Sequence, residues 1–410
     1  MHAPIPRLLA ALIAGLGLVG AAHAQKAEVI HWWTSGGEAA AIKEFATMYN
    51  KMGGSWQDNP IAGGGGDAAR TVIIQRMQGG DPPTAAQFNY SNQYREAISA
   101  GLLNNLDDLA KKENWDANLP DSIKTSIKVD GHYYAVPVNL HMPHWIWSNK
   151  AVLAKAGVTK EPQNLAEAMA AMEAVKTKVP GVTPLALGGQ GWQLRITFLD
   201  VLLANGGKDL WVKVLKDKDV SSPAFRKTLE DFRKLKGYTD AGHPGRDWNL
   251  ATGMVIDGKA AFQMMGDWAK GEFVNAGKVH GKDFGCTLAG GPTSPYVIGG
   301  DVFVFPKNKD AGAAPAQQKL AAMMYSKEGQ VAFNNKKGSI PIRTDVDLTK
   351  VDGCASIGVK ALKERRLVES ENQFLSPDGV GAFEDAISKF WNSDQSVDDA
   401  LKAMAVAVKR

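Results

Sequence analysis

The stretch Glu28-Val29-Ile30-His31-Trp32-Trp33-Thr34-Ser35-Gly36-Gly37-Glu38 reads as a short apolar strand, a loop and the first turn of a helix. Ile42, Phe45 and Tyr49 then recur at helical spacing, so the helix has one apolar face to bury. Two indoles, two hydroxyls and a carboxylate gather at the loop, where backbone donors also point outward. Successive strand residues face opposite ways. One of Trp32 and Trp33 is therefore expected in a core and the other in the open, unless the strand ends between them. Glu38 stands in the first helical turn, which favours a carboxylate on electrostatic grounds alone.

Outward from this unit, strand and helix signals keep alternating, which argues for α/β layers with largely parallel sheets. A second helix is expected from about Asp67, carrying Ile73, Ile74 and Met77. Gly79-Gly80-Asp81-Pro82-Pro83 stops it, and Ala85 to Asn89 is the next strand. Tyr94, Ile98 and Leu102 mark a further helix. Asp130-Gly131 is a hairpin turn, and Pro137 breaks the strand that follows it, just before His141. Asn164 with Glu167 reads as a capping box, and Ser222-Pro223 as a cap with proline in the first turn. Leu185 to Leu187 and Ala260 to Met265 are strands ending at Gly188-Gly189-Gln190-Gly191-Trp192 and Gly266-Asp267-Trp268. Breaks near Pro137, at 290–295 and near Ile340-Pro341 predict three crossings between two lobes, with a cleft lined by loops from the whole chain.

Residues 1–24 carry the marks of an export signal: Arg7, the apolar run Leu8 to Val19, and Ala22-His23-Ala24 as a cleavage site. The run is too short to span a bilayer. With no cysteine after the cleavage site, no lipid anchor is expected there. Removing the signal takes one arginine and no acid from 47 basic and 43 acidic residues, leaving a net charge of +3 spread along the chain. That dispersion lacks the concentrated basic face of a nucleic-acid binder. Cys286 and Cys354 are the two cysteines, and in an oxidising compartment a pair is more often bonded than free.

Taken in order, several segments resemble the extracytoplasmic solute-binding proteins of carbohydrate ABC importers. They are the strand ending Trp32-Trp33, Gly79-Gly80-Asp81-Pro82-Pro83, Tyr134-Ala135-Val136-Pro137 leading to Trp147-Ser148-Asn149-Lys150, and Asp257-Gly258-Lys259-Ala260-Ala261-Phe262 with Gly266-Asp267-Trp268. Gly299-Gly300-Asp301 and Gly338-Ser339-Ile340-Pro341-Ile342-Arg343 complete the set. The likeness covers nearly the whole chain after the signal and is greatest to the glucose-binding branch of Gram-negative bacteria. It implies an α/β, two-lobed periplasmic-binding-protein fold with a hinge and an inter-lobe cleft. The lobes are expected at 25–138 plus 293–340 and at 139–292 plus 341–410. It further implies a periplasmic monomer that captures a monosaccharide, with glucose foremost, and hands it to inner-membrane permease subunits, without enzymatic activity, cofactor, metal or nucleic-acid partner.

A hexose presents apolar C–H faces and a rim of hydroxyls, so a selective site sets flat rings against the faces and charged groups around the rim. The candidate residues are Trp32, Trp33, Trp192 and Trp268 as rings, and Glu38, Asp267, Asp301, Lys336 and Lys337 as charged partners. Asn89 and His141 are neutral hydrogen-bonders. The charged set favours a small polar pocket over a long groove. Each has a plainer reading: Asp267 as a helix cap, Asp301 as a turn residue, the lysine pair as solvated surface with one member reaching the cleft. A disaccharide ligand is the alternative. Three rival functions fit the residues less well. A glycoside hydrolase needs two acids across the scissile bond, but no G-x-S-x-G or H-E-x-x-H motif is present. Gly63 to Gly66 lacks the Lys-Ser/Thr of a phosphate loop. A metal receptor would use His31, His141 and His144, which lack a neighbouring carboxylate or thiol in a recognisable pattern.

Overall fold

The computed structural model describes residues 25–90, 92–348 and 352–410; the export-signal segment lies outside the described residues. Strand Gln25–His31 runs parallel to Gly54–Pro60 on one side and Ala85–Asn89 on the other. Asp301–Val304 joins them antiparallel to Ala85–Asn89, and Ala135–Pro137 closes the five-stranded sheet. A second, four-stranded sheet orders Phe284–Leu288, Trp145–Asn149, Ala260–Met265 and Thr183–Ala186. Helices cover both sheets, giving two α/β lobes.

The expectation of largely parallel sheets is corrected: of the seven pairings in these two sheets, three are parallel and four antiparallel. The cleft supplies the reason. Strands that end there, such as Gln25–His31 before Trp32, Ala85–Asn89 at Asn89 and Ala260–Met265 before Trp268, all point toward it. Strands that begin at a crossing, Trp145–Asn149 and Asp301–Val304, leave the cleft and oppose them. A chain that passes between lobes must enter each sheet from the cleft side.

The crossings lie against one another. Leu140 exchanges backbone hydrogen bonds with Ile340 (2.8 and 3.1 Å), and His141 does so with Gly299 (2.8 and 3.1 Å). The segment after Pro137 is thus paired to both return segments.

Local chemistry explains the ends of the elements. Gly80, at φ +80°, stops helix Asp67–Gly79 in the left-handed region that glycine enters without penalty. Asp130 and Gly131, both at positive φ, form the predicted hairpin turn between Lys128–Val129 and His132–Tyr133. Ser222 accepts from the Phe225 amide, as a cap before Pro223 should. Asn164 accepts from the Glu167 amide at 3.0 Å, while Glu167 returns a bond to the amide of Gln163, one residue earlier than the standard box. The helix expected over Tyr94 to Leu102 shortens to Arg95–Ser99.

Cys286 and Cys354 are joined, tying strand Phe284–Leu288 to helix Gly353–Lys363 across 68 residues. Closing a loop of that length stabilises by about 4 kcal/mol in the chain-entropy model. No helix among the described residues is long and apolar enough to cross a membrane.

Candidate functional site

A cavity of about 1000 Å³ lies where loops from the two lobes face each other. It is larger than the small pocket expected from sequence, because helices Asp67–Gly79, Gly191–Leu215 and Pro377–Asn392 add a second charged wall.

Its inner end starts at Trp32, behind which His31 is buried. The His31 ring accepts the Trp33 amide at Nδ1 (3.2 Å), which leaves Nε2 to donate to Asp58 (3.0 Å) and fixes the tautomer. This hydrogen bond is also the main reason the Asp58 carboxyl sits below its usual range. The strand ends there, so the alternation that would separate the two indoles no longer applies, and both Trp32 and Trp33 line the cavity. Trp33 is only 1% exposed and packs on Phe303 and Phe333, with ring centroids 5.8 and 5.0 Å away. Trp32 is half-buried, under the Arg70 guanidinium at 5.6 Å.

Glu38 and Lys337 meet at 2.8 Å although their positions are 299 residues apart, and both are buried. Lys337 ends its helix at Gly338, whose φ of +89° turns the chain. Its ammonium lies 5.6 Å from the Trp33 ring and 5.8 Å from the Trp268 ring, a charge held between two indoles from different lobes. Lys336 is exposed and lies outside the cavity lining, so one member of the lysine pair reaches the site.

The floor is a closed polar network. His141 faces Asp267 through Nδ1 (2.5 Å) and Asp301 through Nε2 (2.8 Å). Burial works against its charge, but the two carboxylates outweigh it and raise the imidazole to about 9, so it is a cation at neutral pH. Asp301 accepts from Gln87 and Asn89 at one oxygen (3.0 and 2.9 Å) and from Asn139 and His141 at the other (both 2.8 Å). Burial would raise its carboxyl; His141, Lys337 and Asn139 hold it below the usual value. Asp267 spends its second oxygen on the Met142 amide (3.1 Å) and does not line the cavity. Its side chain makes no cap to the following helix. Both predicted acids thus organise the floor through His141; Asn89, His141 and Asp301 line the cavity and Asp267 stands behind them.

Apart from Trp192, and Trp32 beneath Arg70, the outer end was not foreseen. Trp192 stands 6.4 Å from Trp268 and donates to Gln190 at 2.6 Å. Beside it Arg195 is held by Glu371 and by Glu384 (3.3 Å), while Arg70 pairs with Asp67 and donates to the Gly65 carbonyl at 2.9 Å. Burial pushes the Glu384 carboxyl up, and Arg195 opposes it. Glu371 and Glu384, the partners of Arg195, had no local signature; Arg70, one turn into a helix behind a glycine run, had one.

His31, His141 and His144 bond Asp58, Asp267 with Asp301, and Asp200 respectively, so the proposed metal trio is dispersed among separate carboxylates. Among the described residues the cluster with metal-ligand spacing is His280, Cys286 and Cys354, where the two sulfurs are bonded to each other.

Residues 33–331 match the family described as bacterial extracellular solute-binding protein. A probable sugar-binding periplasmic protein of Brucella melitensis biotype 1 is 40% identical over 410 residues, spanning 97% of this chain and 96% of its own. Among solved structures, a chitin oligosaccharide binding protein superposes with a TM-score of 0.77 at 18% identity, covering 94% of this chain and 98% of the other. The solute receptor AcbH, described as preferring β-D-galactopyranose exclusively, gives 0.75 at 20% identity with the same coverage. At such identities the structural likeness speaks for the fold. With the family match over most of its length, the chain belongs to the bacterial extracellular solute-binding proteins.

Proposed function

We propose that this protein is the exported, periplasmic sugar-capturing component of an ABC importer, and that the inner end of its cleft takes a hexose, glucose foremost. The supporting observation is the Lys337 ammonium, paired with Glu38 and set between Trp33 and Trp268. Indoles offer flat area to the sugar's C–H faces, and the ionised pair with Asn89 offers charge-assisted hydrogen bonds to its hydroxyls. Asp301, Asp267 and His141 hold these groups in place. A site that pairs each hydroxyl rejects analogues lacking one, since a buried partner is left unsatisfied.

The mechanism is an equilibrium between open and closed lobes, divided at 25–138 plus 293–340 and 139–292 plus 341–410. The paired segments around Leu140, Gly299 and Ile340 serve as the hinge. Sugar favours the closed form because Trp33 and Glu38 come from one lobe and Trp268 from the other. The closed monomer then presents a joint surface to permease subunits in the inner membrane. No catalysis is proposed: a glycoside hydrolase needs a free acid and a free base or nucleophile, whereas Glu38 is ion-paired and Asp301 accepts four hydrogen bonds.

The test is calorimetric titration of the mature protein with glucose, galactose, mannose and maltose, with aryl glycosides assayed for turnover. Saturable binding of a hexose without turnover is expected. Silence across all four sugars, or hydrolysis, overturns the proposal.

A further inference from the structure

Among the described residues, the second lobe holds one cluster of metal-ligating side chains that the sugar site does not use. Cys286 on strand Phe284–Leu288, Cys354 in the first turn of helix Gly353–Lys363, and His280 offer three ligand atoms within 4.8 Å of one another. None of the three lines the cleft.

The two sulfurs are bonded to each other, yet the surroundings of each suit a thiolate. His280 Nε2 stands 3.4 Å from the Cys286 sulfur, and since a bonded sulfur carries no hydrogen the ring is the donor. Cys354 opens an 11-residue helix, whose first amides and dipole favour an anion. Asp352 caps that turn through the Ala355 amide (2.9 Å) and is neutralised by Lys270 (2.6 Å), so no bare carboxylate opposes charge on Cys354. The imidazole is fixed as well. A Cβ on Gly353 would stand 2.6 Å from its Cε1, and Phe284 packs edge-on at 5.7 Å, so only glycine lets the helix begin against the ring.

Zinc bonds of about 2.3 Å to sulfur and about 2.0 Å to nitrogen set tetrahedral ligands roughly 3.5 Å apart. His280 and Cys286 already have that spacing. The Cys354 sulfur alone must turn away from Cys286. His280 is half-buried, which leaves the fourth position open to water.

We infer that this disulfide is a latent zinc site, filled by Cys286, Cys354 and His280 once the bond is reduced. The reductant is a dithiol. Its thiolate attacks the Cys286 sulfur, the residue being 8% exposed against 1% for Cys354, and the S–S bond breaks with Cys354 leaving as a thiolate. The second sulfur of the dithiol then closes a disulfide within the reductant and releases Cys286 as the other thiolate. Two electrons pass to the protein, and the two protons of the dithiol go to water. Zinc takes both thiolates and the neutral imidazole at Nε2, the ring proton having passed through water to Nδ1.

The test titrates the mature protein with cobalt(II), a coloured stand-in for zinc, and then with zinc, before and after reduction by a phosphine, which supplies no competing thiol. Thiolate-to-cobalt charge-transfer absorption should saturate at about one equivalent in the reduced chain and be absent from the oxidised chain. Zinc should displace the cobalt and raise the melting temperature of the reduced chain, since its binding energy adds to folding. His280→Ala leaves both thiols in place and should weaken zinc at least about tenfold, because even groups behind the ligands are worth that much; Cys354→Ser should cost more. Circular dichroism checks the folding of both variants. Equal uptake by oxidised and reduced protein, no charge-transfer absorption on reduction, or undiminished zinc affinity in His280→Ala overturns the site. Should reduction alone unfold the chain, zinc is expected to restore its near-ultraviolet circular dichroism, and a chain that stays unfolded in excess zinc overturns the site too.

Discussion

His141 and His144 stand three residues apart, and the two regions they occupy use the same side chain to opposite ends. On the cleft floor, His141 lies between two carboxylates and is held charged, raised to about 9. Inside the second lobe, His144 bonds a single carboxyl, Asp200, at 2.8 Å and packs edge-on to Trp211. Burial dominates there: it lowers the imidazole to about 3 and pushes Asp200 well up, so both are neutral. One carboxylate fails to offset the desolvation of an imidazolium; two carboxylates with amide support succeed. The difference is one of function as well as energy. The charged floor organises polar groups facing the cavity, and the neutral pair only fills an interior.

The largest test of that contrast is His141→Leu. It leaves Asp267 and Asp301 buried without their cation and should cost about 3–5 kcal/mol, read from the denaturant midpoint. Lys337→Met removes the partner of Glu38 in the same region. It should weaken hexose binding about a hundredfold by calorimetry, since truncating one member of a buried pair costs 2–5 kcal/mol.

The pH dependence separates the regions by sign. The folded pKa of His141 is raised, so its contribution is complete below the unfolded value near 6.5 and is lost as the pH climbs through about 9. Melting temperature should fall over that alkaline window, and His141→Gln should flatten the fall. His144 is depressed instead: its contribution is whole above 6.5 and is lost as the pH drops toward 3. His144→Phe should blunt that acid loss and leave the alkaline limb alone. The smallest effect belongs to the double replacement His144→Leu with Asp200→Leu. Asp200 Oδ2 has no hydrogen-bond partner among the described residues, so apolar substitutes should change stability by less than about 1 kcal/mol. A loss near that of His141→Leu would erase the distinction.

How much of this was legible in the sequence depended on distance along the chain. The opening strand, loop and helix, the Asp130-Gly131 hairpin and the caps at Asn164 and Ser222 rest on neighbours within a few residues, and each was readable. Strand direction was not, because it follows from which end of a strand meets the cleft. The site divided the same way. Rings at strand ends announced themselves, whereas Arg195 with Glu371, 176 residues apart, resembles two ordinary surface charges until the fold joins them. Glu38 and Lys337 were both readable as candidates, but their partnership was not. Asp301 was readable as a candidate and lines the cavity, but the donors it accepts from, Gln87 and Asn139 among them, come from other segments and were not readable.

The Cys286–Cys354 link has a topological consequence. Between its two ends the polypeptide leaves the second sheet, lays Asp301–Val304 into the first sheet and contributes the helix that ends in Lys337. The first lobe is therefore threaded by a closed ring anchored outside it. A protease that cuts anywhere in that ring yields two fragments still covalently fastened, so nicked molecules should migrate as intact chains until a thiol is added, and the strand that carries Asp301 keeps a tether from which to find its place again.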